Sequence, residues 1–404
     1  MTKQTLEVSR LTGHDTADSL IQASRLWDPD RVTSLNFSRL RTVFPNGAVP
    51  FAATLDYLRD QGRPFDVVGM HTNQQRTHIS NPMTIDQFVR WETPLTNVVW
   101  KYRDESEAGK LSTKFMEALT DQVACEAGVI DALNWCIYEV LDNVFQHSQA
   151  SSGYVMMQLH ANQRQCVLAV TDTVRGIHRS MIEATDSSRV DASQLSRAHL
   201  AIGHALEQGV TSKGNLNQGN GLHGLRRAVA INGGRLAVRS GRGQWSYSEG
   251  EVEADTDMNR PVLNTDLHHS TTVDWQLDCA RPVSINDALG RAEQPSGLLE
   301  TIEADVGHYR IDAGDLEEYV GSRAKGEEVR TRIKNYLATG AQQVVLDLAN
   351  VGVVSSSFAD EVVGKLAVEL GELEYRRRVF MDNASPTNRG LIERAIELRM
   401  KTGL

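Results

Sequence analysis

The stretch from Ala132 to Ser148, ALNWCIYEVLDNVFQHS, limits the possible folds more than any other part of the chain. Leu133, Ile137, Val140, Leu141 and Val144 make an apolar stripe at helical spacing, so the segment reads as a helix with one side in a core. Glu139, Asn143 and His147 recur at every fourth position and share another side, drifting by only about 40° per step. A carboxylate and an amide therefore project next to one another. Such a pair suits a nucleotide site, because an Asn oxygen ligates Mg²⁺, which takes few protein ligands beside phosphates and water, and a Glu orients or deprotonates a nucleophile. A polar helix face with i,i+4 contacts accounts for the same row, so the helix alone does not decide. His147 reads as a cap or packing residue at the helix end.

With 404 residues the chain exceeds the span of one hydrophobic core, which implies two or three domains. Its 40% hydrophobic and 23% charged residues are those of a globular protein and exclude a wholly disordered chain. No apolar run approaches the roughly 18 residues that span a bilayer, and MTKQTLEVSR lacks the apolar centre of a signal peptide, so no membrane segment and a cytoplasmic location are expected. A net charge of -10 argues against broad nucleic-acid binding, whose affinity comes from lysine and arginine on phosphates. The local run Arg376-Arg377-Arg378 reads as a solvated strand edge. Cys125, Cys136, Cys166 and Cys279 show no CxxC pairing, and three lie in apolar stretches, so neither zinc nor a disulfide framework is implied.

Residues 1–104 read as a small α/β unit: a strand at Val32 to Phe37, a turn with Pro45, Asn46 and Gly47, and a helix from Val49 to Gln61. A second unit covers 105–280. Helical patterns at Thr113 to Cys125 and Val129 to His147 precede strand-like runs at Gly153 to His160, Cys166 to Asp172, Gly234 to Ser240 and Thr271 to Leu277. Together they predict a two-layer α/β sandwich whose sheet has one face on helices. Two long polar interruptions fall inside it, a lid at about 177–218 with a helical pattern from Leu195 to Leu206, and Glu251 to Ser270. A linker at 281–298 leads to a third α/β unit, 299–404, with strands at Gln343 to Leu348 and Arg378 to Asp382 around a helix from Phe358 to Leu370. LNFSRLRTVFPNGAVPFAATL and LDLANVGVVSSSFADEVVGKL share one order of strand, turn and helix, as a distant repeat would.

Two further elements carry chemistry. CVLAVTDTVRGI delivers Asp172 at a strand end, where a carboxylate accepts from the exocyclic amine of adenine, and Gly176 four residues on lets the ring approach backbone. Asp-containing turns after strands are also common for structural reasons. QGNGLHGLRRAVAINGG places Gly219, Gly221 and Gly224 ahead of a helical run from Leu225, so backbone N–H groups at a helix start are free to cradle phosphates. The same letters satisfy the dinucleotide fingerprint GxGxxG, with Arg239 near the next strand end, but that motif must follow an apolar strand. GVTSKGNLNQ is polar, and the Rossmann reading is rejected.

In order, these elements resemble the GHKL superfamily of gyrase B, MutL, the heat-shock chaperones and the histidine kinases, from Ser112 to about Asp278. EVLDNVFQH is similar to its N-box, DTVRG to its first glycine box and GNGLHGL to its second. VTSK is similar to the Thr-Thr-Lys of many family lids, and HSTTVDW to its closing strand. The resemblance implies ATP and Mg²⁺ as cofactors, with Asn143 as metal ligand, Glu139 as general base, Asp172 on the adenine amine and Gly176 in the base pocket. It further implies Gly219, Gly221, Leu222, Gly224 and Leu225 around the phosphates, and Thr211, Ser212 and Lys213 on the lid. Val174 replaces the first glycine of the first box, which narrows the pocket or slows turnover without removing the adenine contact.

The third unit resembles STAS-like domains, with Ser355 and Phe358 standing where their turn has Asp and Gly. By that resemblance Ser356 and Ser357 are phospho-acceptors, although a serine there also caps the helix from Phe358. The fold class expected is a central GHKL sandwich between two STAS-like α/β units. The function expected is a regulatory ATPase acting through a protein partner. A serine/threonine protein kinase and a non-catalytic ATP-sensing scaffold remain open, as does pairing of two chains on ATP.

Overall fold

The computed structural model describes residues 4–26, 28, 33–63, 65–71, 75, 77–88, 95–183, 195–207, 221–263, 270–284, 287–288, 308–313, 323–349, 351 and 354–402. Near the N-terminus, β1 (Gln4–Glu7), β3 (Thr33–Asn36) and β5 (Asp66–Val68) form a parallel sheet in that order, and β2 (Arg10–Leu11) pairs with β4 (Thr42–Val43). Helices α1 (Asp15–Arg25) and α2 (Pro45–Asp60) accompany them. The turn expected at Pro45 to Gly47 is instead the first turn of α2. Proline at that position has its fixed φ already helical and has no N–H to leave unbonded.

An eight-stranded sheet follows. Its strands are β6 (Met83–Thr84), β7 (Trp100–Tyr102), β8 (Gly153–His160), β9 (Gln165–Asp172), β10 (Arg235–Ser240), β11 (Gly243–Ser248), β12 (Glu251–Thr256) and β13 (Thr271–Asp278). They run in the order β12-β11-β10-β13-β9-β8-β7-β6. Helices α3 (Glu105–Gln122), α4 (Val129–His147), α5 (Ile177–Glu183), α6 (Ala198–Ala205) and α7 (Gly221–Asn232) belong to this part of the chain.

β8 and β9 are buried along almost their whole length, which requires cover on both faces. The register sorts their residues. Tyr154, Met156, Ala169 and Thr171 stand on one face, and Val155, Met157, Leu168, Val170 and Asp172 on the other. Tyr154, Met156 and Ala169 share a core with Phe51, Ala52 and Leu55 of α2. The α2 residue Asp56 fixes the contact, its Oδ2 accepting from Lys101 Nζ at 2.7 Å and from the Tyr154 hydroxyl at 2.7 Å. The sheet face expected to be solvated therefore carries a third layer. For the same reason the boundary drawn at 104 does not match the compact units: Met1–Ala118 groups with Asp131–Asp278, while Leu119–Ile130 and Cys279–Asn286 group with Arg291–Leu404.

The hairpin of β11 and β12 is a second difference, since Glu251 onward reads as a loop in sequence. β12 is an edge strand exposed along nearly its whole length, so no apolar alternation marks it. Arg239, on the α2 side of the sheet, pairs with Asp18 of α1.

The C-terminal unit has three parallel strands, β14 (His308–Asp312), β15 (Gln343–Asp347) and β16 (Val379–Asp382), in chain order. Helix α8 (Arg323–Ala338) precedes β15. After it come α9 (Ser356–Ala359), a π turn (Asp360–Gly364), α10 (Lys365–Leu370), α11 (Glu372–Arg378) and, beyond β16, α12 (Pro386–Thr402). Ser355 caps α9, its Oγ accepting the Phe358 N–H at 3.0 Å, one position before the serines expected to do so. Ser356 and Ser357 open that helix, with side chains outside the described residues. Arg376–Arg378 are the last turn of α11 and not a strand edge, and Arg378 donates to Ala341 O at 2.6 Å. Among the described residues no helix is long and apolar enough to cross a membrane.

Gly47 shows how closely the N-terminal layer is fitted: a Cβ there would stand 2.3 Å from the carbonyl carbon of Leu11. Backbone cannot yield as a side chain does, so Gly47→Ala is expected to cost about 1–3 kcal/mol, seen as a lower urea midpoint. Gly109→Ala on α3, where nothing lies within 4 Å, is the control and is expected to be neutral or slightly stabilising.

Candidate functional site

Helix α4 buries Leu133, Ile137, Val140, Leu141 and Val144. It is fastened to the sheet by Tyr102, whose hydroxyl donates to Leu141 O at 3.3 Å and whose ring meets Phe145 edge-on at 5.5 Å. Gly153 makes that contact available, because a Cβ there would stand 2.3 Å from the Tyr102 ring. The opposite side of α4 presents Glu139 and Asn143, both half-buried. The side chain of His147 lies outside the described residues.

The start of α7 comes down on this polar row. A Cβ on Gly221 would stand 2.6 Å from Glu139 Oε2 and 3.5 Å from Asn143 Nδ2, so the helix start lies against both side chains and a larger residue there would displace the Glu139 carboxylate. Leu225, Ala228 and Val229 bury the inner side of α7, and Gly224 is buried beside them. Leu222 is half-buried in the first turn. The far end of α7 is held by Asn232, which accepts the Asp278 N–H at 2.7 Å and donates to Asp278 O at 2.9 Å.

Asp172 ends β9 on the same sheet face as Gly153 and Val155. It is 4% exposed, and its Oδ1 accepts the Val174 N–H at 3.0 Å. Burial pushes its carboxyl up to about 7 against the lowering effect of the Val174 and Thr271 N–H groups. Gly176 is buried in the turn that follows. The turn is pinned from three sides: Ser270 N–H donates to Val174 O at 2.9 Å, Ile177 N–H to Ser240 Oγ at 2.7 Å, and Ser240 Oγ lies 3.0 Å from Thr271 Oγ1. Val174 has no positive φ, so its position does not demand the glycine that the first box usually carries.

Helices α5 and α6 lie within the segment expected to be a lid. Met181, Leu195 and Ala201 form a small core there with Ile177 and Ala205 packed on it. His199 N–H donates to Thr256 Oγ1 at 3.1 Å, and His223 Nδ1 lies 3.2 Å from Leu206 O, tying the end of α6 to the start of α7. Thr211, Ser212, Lys213 and Gly219 lie outside the described residues. Sequence reasoning missed Tyr102, His223 and Ser240. Only His223 carried a signal, as the one ring inside the second glycine box.

Electrostatically the site holds two reluctant carboxyls. Burial, then the Asp142 charge, pushes Glu139 upward, in the direction that suits a proton acceptor near neutrality. Asn143 Nδ2 is buried without a hydrogen-bond partner among the described residues. The unpartnered Nδ2 is a donor that suits a phosphate oxygen, while the Asn143 Oδ1 is of the type that ligates Mg²⁺, so a carboxylate, this amide and a helix start together fit a phosphate chain with its Mg²⁺.

This arrangement is that of a GHKL α/β sandwich. Residues 128–254 match the family of histidine kinase-, DNA gyrase B- and HSP90-like ATPases, and residues 325–388 match a STAS-like domain of unknown function. The chain thus carries a GHKL ATPase domain followed by a STAS-like domain. The crystal structure of full-length ShkA in complex with AMPPNP is similar at 13% identity and a TM-score of 0.23, over 74% of this chain. The chain spans 57% of that protein's length. No curated protein matches the chain.

Asp172 generates a pH prediction. In the unfolded chain its carboxyl titrates near 3.9, and in the folded one at about 7, so folding takes up a proton between these values. Its contribution to stability is complete below the lower value and is lost as pH rises through the upper one. A bound amine donor favours the carboxylate and reverses the shift, so adenine binding is expected to release up to about one proton near pH 6.5. Calorimetric titration in two buffers of different ionisation enthalpy reads this directly, and Asp172→Asn is expected to abolish the buffer dependence.

Proposed function

We propose that the chain is a Mg²⁺-dependent, ATP-binding regulatory protein that hydrolyses ATP slowly and uses the bound nucleotide to switch partner contacts of its flanking α/β units. The observation that carries this reading is the approach of Gly221 to Glu139 and Asn143, with Asp172 on the same sheet face. On this reading, three segments far apart in sequence supply a base, a metal-ligating amide, a helix start and an adenine acceptor.

Each residue has a separable task. Asp172 accepts from the adenine amine and sets the orientation of the base, with Gly176 leaving the ring room. Gly221, Leu222, Gly224 and Leu225 open α7, whose N–H groups face the phosphates. Asn143 holds Mg²⁺, which when bound neutralises phosphate charge. Glu139, already displaced toward neutrality, draws the proton from an attacking hydroxyl or water. The resemblance assigns Gly219 to the phosphates beside Gly221 and Gly224, and Thr211, Ser212 and Lys213 to the lid.

The STAS-like domain in the same chain favours one second reading, in which the acceptor is a serine hydroxyl, with Ser356 and Ser357 as the candidates. Incubation of the purified chain with γ-labelled ATP separates these outcomes. Label in free phosphate supports the ATPase, label on serine the kinase, and label in neither a nucleotide-sensing scaffold. Glu139→Ala is expected to stop turnover with nucleotide affinity kept. Asn143→Ala is expected to weaken Mg²⁺-dependent binding at least tenfold, and equal affinity of this variant and the parent overturns the pocket assignment.

A further inference from the structure

The connector between α3 and α4 is held by side chains that no catalytic argument uses. Leu119–Ile130 groups with the C-terminal residues, and α8 supplies the hold. Asn335 of α8 is 1% exposed and commits its whole amide to the last turn of α3 and this connector. Its Oδ1 accepts the Cys125 N–H at 2.8 Å, and its Nδ2 donates to Thr120 O at 2.9 Å and to Val123 O at 3.3 Å. On the same helix Arg332 pairs with Asp121. From the other side Glu126 N–H donates to Cys279 O at 2.8 Å and Val283 N–H to Ala127 O at 3.1 Å. Gly128, with φ at +77°, lies so close that a Cβ there would stand 1.9 Å from Val283 O.

Immediately after Gly128, α4 begins. Glu139 and Asn143 lie about three and four turns further along the same rigid rod. A displacement of the first turn is therefore passed to the polar row with little loss. Asn335 has no comparable value for α8 itself. Asparagine is a mediocre helix former, and a buried amide contributes less to stability than a well-packed apolar side chain of its size.

We infer that Asn335, assisted by Arg332, is a positioning residue for the nucleotide site, fixing the first turn of α4 so that occupancy of the site and closure of this clasp are linked. The inference rests on the reading of Glu139 and Asn143 as nucleotide-binding residues. Linkage is reciprocal: whatever factor the clasp contributes to nucleotide affinity, bound nucleotide returns to the clasp. The C-terminal unit thereby has a way to set nucleotide affinity without reaching the pocket.

The test uses the full chain, a non-hydrolysable ATP analogue with Mg²⁺, and two readouts, affinity by calorimetry and hydrogen exchange at the Cys125 and Glu126 amides. In the parent the analogue is expected to slow exchange at both amides. Asn335→Ala is expected to bind the analogue at least about fivefold more weakly and to lose that exchange response. Asn335→Asp, which keeps the acceptor for Cys125 N–H and loses both donations, is expected to fall between them. Arg332→Gln leaves the buried amide in place and is expected to shift affinity in the same direction. If Asn335→Ala does not fold, Arg332→Gln and Asn335→Asp decide the matter. Parent-like affinity and exchange in the folded variants overturn the inference while leaving the nucleotide reading intact. A parent that does not bind the analogue overturns both.

Discussion

Cover on both faces of β8 and β9 is the condition that the rest of the first unit meets. Strands with no polar face to show water need a layer on each side, and here one layer is α2 while the other includes α4. The hydrogen bonds from Lys101 and Tyr154 to Asp56 keep that carboxyl below its usual range although burial opposes it, so an ionised group fixes α2 against the sheet. With the sheet held rigid from behind, the residues on its other face are presented from a fixed base. Asp172, Val170 and Val155 all stand there.

The front of the sheet shows a different economy of charge. Burial raises the carboxyls of both Glu139 and Asp172, so a negative charge on either costs more here than in water. The N–H groups at the start of α7 add partial positive character at the same place. The turn after Asp172 is tied to Ser240, Ser270 and Thr271, so Asp172 is held with the sheet, whereas the position of Gly221 depends on where α7 begins. His223 links that helix start to Leu206, which ties α7 to the end of α6.

The sequence disclosed the helix with Glu139 and Asn143, the strand ending at Asp172 and the helix opening at Gly221, because each combines a strong periodicity with a residue type that its chemistry requires. Their convergence was legible only through resemblance, since spacing along the chain does not say that a Cβ on Gly221 would strike Glu139. Other features left no trace. α2 is legible as a helix from Phe51, Leu55 and Leu58, but nothing in those residues says that they pack behind a sheet formed by strands far later in the chain, or that Gly47, Ala48, Ala52 and Ala53 are buried with them. β12 is exposed almost throughout and carries no alternation. Tyr102 and Asn335 look ordinary in sequence, and their importance comes from contacts with Leu141 and Cys125 that are distant along the chain.

The four cysteines, all buried and none in a disulfide, carry a consequence of their own. Cys136 and Cys166 belong to one compact unit and Cys125 and Cys279 to the other, two thiols in each. A thiol reagent in solution reaches none of them until the chain opens around it, so labelling becomes a clock for local unfolding rather than a measure of surface chemistry. Cys136 rides on α4 and Cys125 sits in the connector before it. The order in which these two react separates loosening of α4 from loosening of the connector before it, with no added probe to disturb either.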